Sequence, residues 1–456
     1  MTEFELVVAN GTVVLEGGHE VEADVGVRDG RVAAVAPGLG AGAETIDAEG
    51  CWVIPGVIDE HFHVFHGYGF ETYENATRAA AKGGVTTVID MPLDKPPTLT
   101  AERLEAKRAE VGSAFAVDHC FFGGFHPELG VGEMPRMWAA GAVAFKLFTG
   151  GAAPPGMYPG VDSAEMLAVM REAARLGAPV TIHCENATII DAESARLQAT
   201  GRTDPAVWTE ARPPFAELDA IAQAVLLAEE TGCRLLVVHS SSERGVDVVR
   251  AARERGVDAW IETCPHYLCL STDDLTDPRM KWNPPTRPPA SVDALWARVA
   301  DGSVHTIASD HAPLGKPEGG TIWDMMPGVG NGVEPMLSLV ASEAVHRRGV
   351  SIGRIVDALC STPARVYGLH PRKGTLRVGA DADLVLLTKD EPGRIDVEAL
   401  EYTGPRFSPF DGMEVRCHPR ATVLRGRVVA RDGAFCGDPG YGRELPGLGW
   451  AGAQAG

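Results

Sequence analysis

The chain has 456 residues, 62 acidic and 41 basic, for a formal net charge of −21. That balance excludes the basic footprint of a nucleic-acid binder and disfavours docking on an anionic membrane surface. At 45% hydrophobic and 23% charged residues the composition is globular rather than disordered, and no apolar run is long enough to span a bilayer.

Met1-Thr2-Glu3-Phe4-Glu5 lacks a basic region followed by an apolar core, so it does not read as a secretory signal. The 9 cysteines are spread singly, with no Cys-x-x-Cys pair. They predict reduced thiols and a cytoplasmic protein. The 53 glycines and 32 prolines imply many tight turns on a packed scaffold. For a chain of this length, surface scaling predicts about 16,500 Å² exposed when folded and about 70,000 Å² unfolded, so a large core is available.

In chain order, Leu6–Ala9, the turn Asn10-Gly11 and Thr12–Leu15 read as a hairpin. A second hairpin pairs Ala23–Val27 with Arg31–Val35 across Asp29-Gly30. Gly38-Leu39-Gly40-Ala41-Gly42 opens no helix and reads as a plain loop. Eight candidate strands follow: Trp52–Ile58, Val85–Met91, Phe115–Phe122, Ala142–Phe148, Val180–His183, Arg234–His239, Ala259–Cys264 and His305–Asp310. Helical text lies between them at Ala101–Val111, Ser163–Leu176, Phe215–Glu230 and Gly245–Arg255. Strands alternating with helices predict an α/β fold, a (β/α)8 TIM barrel. Asp383–Leu387, Ala421–Leu424 and Arg427–Ala430, the last two joined by Arg425-Gly426, read as strands again. Isolated hairpins are barely stable, so the two termini are expected to pair into one small β-sandwich-like domain. The expected divisions are 1–53 and 371–440 for the two parts of the β domain, 54–370 for the barrel, and 441–456 for a loose tail.

Polar residues gather at the C-terminal ends of the candidate strands, where barrel enzymes place catalysis. The first ends Ile58-Asp59-Glu60-His61-Phe62-His63, and side chains two apart on a strand share a face. His61 and His63 can therefore reach one ion together. Taken alone, His-x-His fits core packing equally well, and a lone Lys146 fits a structural salt bridge. Other strand ends carry Lys146, His183, His239 and Asp310. Several imidazoles and a carboxylate at one rim suit zinc or a similar divalent ion. No Gly-x-Ser-x-Gly elbow and no His-Glu-x-x-His occur. His66, His119 and His126 read as ordinary loop or core histidines first, and as pocket lining second.

Residues Gly56–His63, Ala79–Pro92, Phe145–Phe148, Val180–Asn186, Glu262–Tyr267 and Ser309–Pro313 resemble the motifs of the cyclic amidohydrolases. That family comprises allantoinase, hydantoinase/dihydropyrimidinase and dihydroorotase, and the terminal segments Gly379–Leu384 and Phe407–Gly412 match it too. The resemblance implies a metal-dependent hydrolase of a cyclic ureide or imide with two divalent ions, Zn2+ first, with Co2+, Mn2+, Fe2+ or Ni2+ as other choices. It implies that His61 and His63, with Asp310, hold one ion, and that His183 and His239 hold the other. Lys146 would be N6-carboxylysine bridging both, and Asp310 would be the catalytic proton carrier. Asn283 and Asn331 fall where the family contacts the cyclic amide, partly through backbone groups. Phe65 stands where dihydroorotases carry an arginine, which argues against dihydroorotate. The Glu-Pro-Gly-Arg stretch of many allantoinases is also missing from this loop. Gly69–Thr72, Asp90–Leu93, Arg212–Pro214 with Glu217, and His239–Ser242 are nonetheless similar to allantoinase, so allantoin, opened to allantoate, is the first expectation. A hydantoin or dihydropyrimidine comes second, and another imide or lactam third. A non-catalytic scaffold relative is disfavoured because all six ligand positions are filled. The resemblance also implies a homotetramer or homodimer.

Overall fold

The computed structural model describes residues 3–150, 158–403 and 406–449. Its accessible surface of 16027 Å² is close to the value expected from chain length. Among the described residues, eight short strands build the barrel. They are β1 (Val57–Phe62), β2 (Val85–Asp90), β3 (Asp118–Phe121) and β4 (Phe145–Phe148), then β5 (Val180–His183), β6 (Leu235–Val237), β7 (Ala259–Thr263) and β8 (Thr306–Ile307). All neighbours run parallel. Gly123–Gly124 follows β3 and pairs with β4. The ring closes where Phe62 bridges His311 and the His63 N–H donates to the His311 carbonyl at 2.9 Å. The strands are buried almost throughout, as expected for parallel strands covered on both faces.

Two helices keep the bounds read from the sequence, Ala101–Val111 and Ser163–Leu176. The second opens on a reciprocal capping box between Asp162 and Glu165 and stops at Gly177, which is left-handed. The other two shift slightly, to Pro214–Thr231 and Glu243–Glu254.

Strands from both ends of the chain form one nine-stranded sheet. Its joint is the antiparallel pair Cys51–Pro55 and Leu384–Thr388. The sheet rolls on itself: the Val32 N–H donates to the Ala380 carbonyl, and the Ala382 N–H to that of Gly30. Val53, Leu384 and Leu386 face its own core. Trp52, Ile54, Val385 and Leu387 face the barrel core. The strict period of two along these strands therefore divides one sheet between two hydrophobic interiors.

Three expectations are corrected. Asn10-Gly11 is no hairpin turn: Leu6–Val14 is a single strand with a bulge at that point. Asn10 is left-handed (φ 62°), and a Cβ on Gly11 would meet Val53 Cγ2 at 2.5 Å. The candidate strand Trp52–Ile58 splits at Gly56 into a strand of the terminal sheet and β1. The tail is not loose as far as it is described. The Gly442, Leu445 and Gly447 N–H groups donate to the carbonyls of Phe115, His119 and Gly141, and Leu445 is buried. Trp450 lies outside the described residues.

Candidate active site

The C-terminal ends of β1, β4, β5, β6 and β8 bring the six sequence-predicted side chains together. His61 ends up beside His63, their rings 5.2 Å apart. Asp310, just after β8, puts Oδ1 3.4 Å from His61 Nε2 and 3.5 Å from His63 Nε2. His183 Nδ1 and His239 Nε2 face each other at 2.9 Å, and the His239 ring lies 5.1 Å from that of His61. Asp310 (φ 48°) and His239 (φ 40°) are both left-handed, a strained conformation for non-glycine residues that concentrates at functional sites. Lys146 is fully buried, and its Nζ has no hydrogen-bond partner. The amine lies 4.9 Å from the Phe148 ring centre.

The electrostatics follow from this crowding. Burial, then the Lys146 charge, pushes His61 well below the usual imidazole range. Burial also lowers His63, against the pull of Asp310. Burial and the His183 ring lower His239 strongly. These rings are therefore held neutral, the form that binds metal. Burial works to raise the Asp310 carboxyl, but His61 and His63 overcome it and keep it ionised. Burial pushes the Lys146 amine down to about 8, opposed by Glu262 and Asp310.

A second layer orients the rings. His61 Nδ1 lies 2.8 Å from Glu262 Oε1, which also accepts the His239 N–H. His183 Nε2 lies 2.9 Å from Glu185 Oε2, and Arg212 pairs with the same carboxylate oxygen. His61 Nε2 and His183 Nδ1 are thereby left for the centre of the site, the arrangement that metal-binding histidines favour. Four imidazoles, a carboxylate and an orphaned amine at one rim fit a pair of divalent cations. His61, His63 and Asp310 alone already form a metal-sized donor group. A second such group, Asp118, Asp381 and Asp383, is filled differently: Lys373 Nζ lies within 3.0 Å of all three carboxylates.

The cavity over the site is walled by Phe65, Leu93, Phe148, Trp282, Leu314 and Pro327. Asn283 also lines it, with Oδ1 accepting from Trp208 Nε1 at 3.2 Å. Asn331 does not reach the cavity. Its Nδ2 donates to the Glu401 carbonyl and to Glu334, and its Oδ1 accepts the Glu334 N–H. Its side-chain amide is thus engaged within the chain, so the expected contact with a cyclic amide would fall to its backbone groups. His66 meets Glu110, His119 stacks on Phe115, and His126 accepts the Glu128 N–H; none of the three lines the cavity.

The sequence reading assigned no role to Glu262, Glu185, Arg212 or Trp282. A signal existed for Glu262. A carboxylate inside an otherwise apolar buried strand needs a partner, and the nearest chemistry is His61.

A closed parallel barrel with candidate metal ligands at the carboxyl ends of its strands suits metal-dependent hydrolysis. The Amidohydrolase family model matches residues 52–429, and the chain belongs to that family. It is 37% identical to the L-hydantoinase of Paenarthrobacter aurescens, over 96% of this chain and 97% of that one. It is 40% identical to the allantoinase of Rubrobacter xylanophilus, again over 96% and 97%. The solved L-hydantoinase (dihydropyrimidinase) from Arthrobacter aurescens superposes with a TM-score of 0.93 at 36% identity, covering 97% of this chain and 100% of that one.

Proposed function

We propose that the protein opens a cyclic amide by hydrolysing its C–N bond, with allantoin, giving allantoate, as the first substrate. The observation that carries this reading is the convergence of His61, His63, His183, His239 and Asp310 at one buried place, with the unpartnered Lys146 amine buried near enough to depress His61 and His239. His61 and His63, with Asp310, would hold one divalent ion, and His183 with His239 the other. Lys146 would serve both ions as a carbamate: its neutral amine would add CO2 and release one proton, so that a buried amine becomes an anion with two oxygen donors. Zn2+ is the first choice, and Co2+, Mn2+, Fe2+ or Ni2+ suit the same donors. When bound, such a pair lowers the pKa of water and polarises the substrate carbonyl.

Asp310 is the proton carrier. Held ionised beside two imidazoles, it accepts the proton of the attacking water and returns it to the ring nitrogen as that nitrogen leaves. Glu262 and Glu185 hold His61 and His183 in the required orientation. Asn283 and the unpartnered Trp282 Nε1–H, both on the cavity wall, are the side-chain groups available to the cyclic amide, and Phe148 excludes water beside them.

A second reading has its own support. Phe65, Leu93, Phe148, Trp282 and Leu314 make an apolar wall, which suits an apolar substituent on a hydantoin ring better than the polar ureido group of allantoin. Parallel turnover assays on allantoin, 5-phenylhydantoin, dihydrouracil and dihydroorotate separate the two. Fastest turnover of allantoin supports the first reading. Inert allantoin with rapid opening of 5-phenylhydantoin reverses the order, and no ring opening by the metal-loaded protein rejects both. The expected dimer or tetramer is checked by light scattering. Nine cysteines without a disulfide support the cytoplasmic location, and no helix among the described residues is long and apolar enough to cross a membrane.

A further inference from the structure

A second cleft lies at the other end of the barrel. It is bounded by the hairpin turns Asp29-Gly30 and Arg425-Gly426, by Arg372 and Asp381, and by Tyr441 and Arg443 of the docked C-terminal segment. Its volume is 490 Å³. Asp118, the first residue of β3, lies beneath it and pairs with Arg425, whereas the candidate active site occupies the opposite ends of the strands.

Five guanidinium groups line this cleft, from Arg31, Arg372, Arg425, Arg427 and Arg443, against the carboxylates of Glu5, Asp29 and Asp381. Carboxylates of Glu5, Asp29 and Asp381 in the lining, with Asp118 and Asp438 beside it, balance these cations in number. Direct ion pairing nonetheless engages only some of the guanidiniums. Arg372 Nε bonds Asp381 at 2.8 Å, and Arg427 lies 3.6 Å from Asp438. Arg31 reaches only the Gly379 carbonyl, at 2.8 Å. Arg443 uses its backbone N–H on Asp118, and no carboxylate among the described residues pairs with its exposed side chain. Arg425 is 6% exposed, and its buried Nε has no partner. Its other nitrogens bond Asp118 and the Tyr441 carbonyl. The Tyr441 ring lies 4.4 Å from the Arg425 guanidinium and 5.0 Å from that of Arg427.

We propose that this cleft is a binding site for a phosphate group, either free or carried as a monoester by a small metabolite. Planar guanidinium forks match phosphate oxygens in pairs, and a concave site concentrates their field. The overall negative charge argues against a long polyanion and for a small one. The Tyr441 ring, under the Arg425 and Arg427 guanidiniums, helps to hold both in place at the cleft.

The test is calorimetric titration of the metal-loaded protein at constant ionic strength, once with inorganic phosphate and once with adenosine monophosphate. The Arg31→Ala/Arg443→Ala double variant removes two guanidiniums that pair with no carboxylate, so the fold and the ring-opening rate without phosphate should be unchanged. Saturable binding to the native protein that weakens at least tenfold in the double variant supports the site. Tighter binding of the nucleotide then assigns an ester, and equal binding assigns free phosphate. Binding that is equally strong in the double variant places the anion elsewhere, for example on the metal ions, and overturns the proposal. Absence of saturable binding by either probe overturns it as well.

Discussion

Lys146 has neither a partner for its Nζ nor solvent to reach, and that isolation sets its chemistry. Only the neutral amine adds CO2. With the group pushed down to about 8, ~10% is neutral at pH 7, against less than ~0.1% for an ordinary lysine. The uptake rate of labelled CO2 by metal-free protein, corrected for dissolved CO2 and followed by carbon NMR, should rise about tenfold per pH unit to near pH 8 and then level off. A rate still climbing at pH 10 would contradict this reading of the site. The Glu185 carboxylate is buried, yet Arg212 and His183 more than offset that burial and hold its pKa below the usual range. Glu185→Gln removes the anionic acceptor behind His183. Metal retention against a chelator should weaken by about 10–100-fold, and kcat should fall with little change in KM.

Gly56 is where a strand of the terminal sheet hands over to β1. A Cβ there would meet Thr86 Oγ1 at 2.1 Å and Thr86 Cγ2 at 2.6 Å, so the glycine permits the close approach of β1 and β2. Gly56→Ala should cost about 1–3 kcal/mol of stability by overpacking, read from urea unfolding; an unchanged midpoint would mean that the strands yield freely. The apolar run Trp52–Ile58 concealed this division, because buried strands of a sheet and of a barrel share one composition. Asn10-Gly11 misled for a related reason: a tight hairpin turn and a bulge both need a residue of positive φ. Ser163–Leu176 was legible to the residue because its cap residues, Asp162, Glu165 and Gly177, are local.

Asp118 ties the whole molecule together at the base of the barrel. It begins β3, bonds Lys373 Nζ at 2.6 Å, pairs with Arg425 of the terminal sheet, and accepts the Arg443 N–H at 2.8 Å. Burial works to raise its carboxyl, but Lys373 and Arg425 overcome it, and the folded-state pKa lies below the ordinary value. A depressed carboxyl contributes stability that is complete above about pH 4 and lost as pH falls through the folded-state value. Asp118→Asn should therefore destabilise the protein by about 3–5 kcal/mol at pH 7, and the deficit should shrink as the native protein is acidified below about pH 4. Denaturant midpoints across that range measure both. A constant deficit down to pH 2 would assign the loss to packing instead of charge.

The barrel and the pairing of His61 with His63 were readable from short-range order, whereas the full ligand set was implied by the resemblance to the cyclic amidohydrolases. Alternation along a strand puts His61 beside His63, and apolar runs alternating with helices set the topology. What lies behind those ligands was decided only in three dimensions. Glu262 meets His61 across 201 residues, and Arg425 meets Asp118 across 307. Asn331 turns away to Glu334 and Glu401, and the segment from Gly442 docks under the barrel. Periodicity and caps are written within a few neighbouring residues. The partner of a buried charge is chosen by which distant strand the closed barrel brings alongside it.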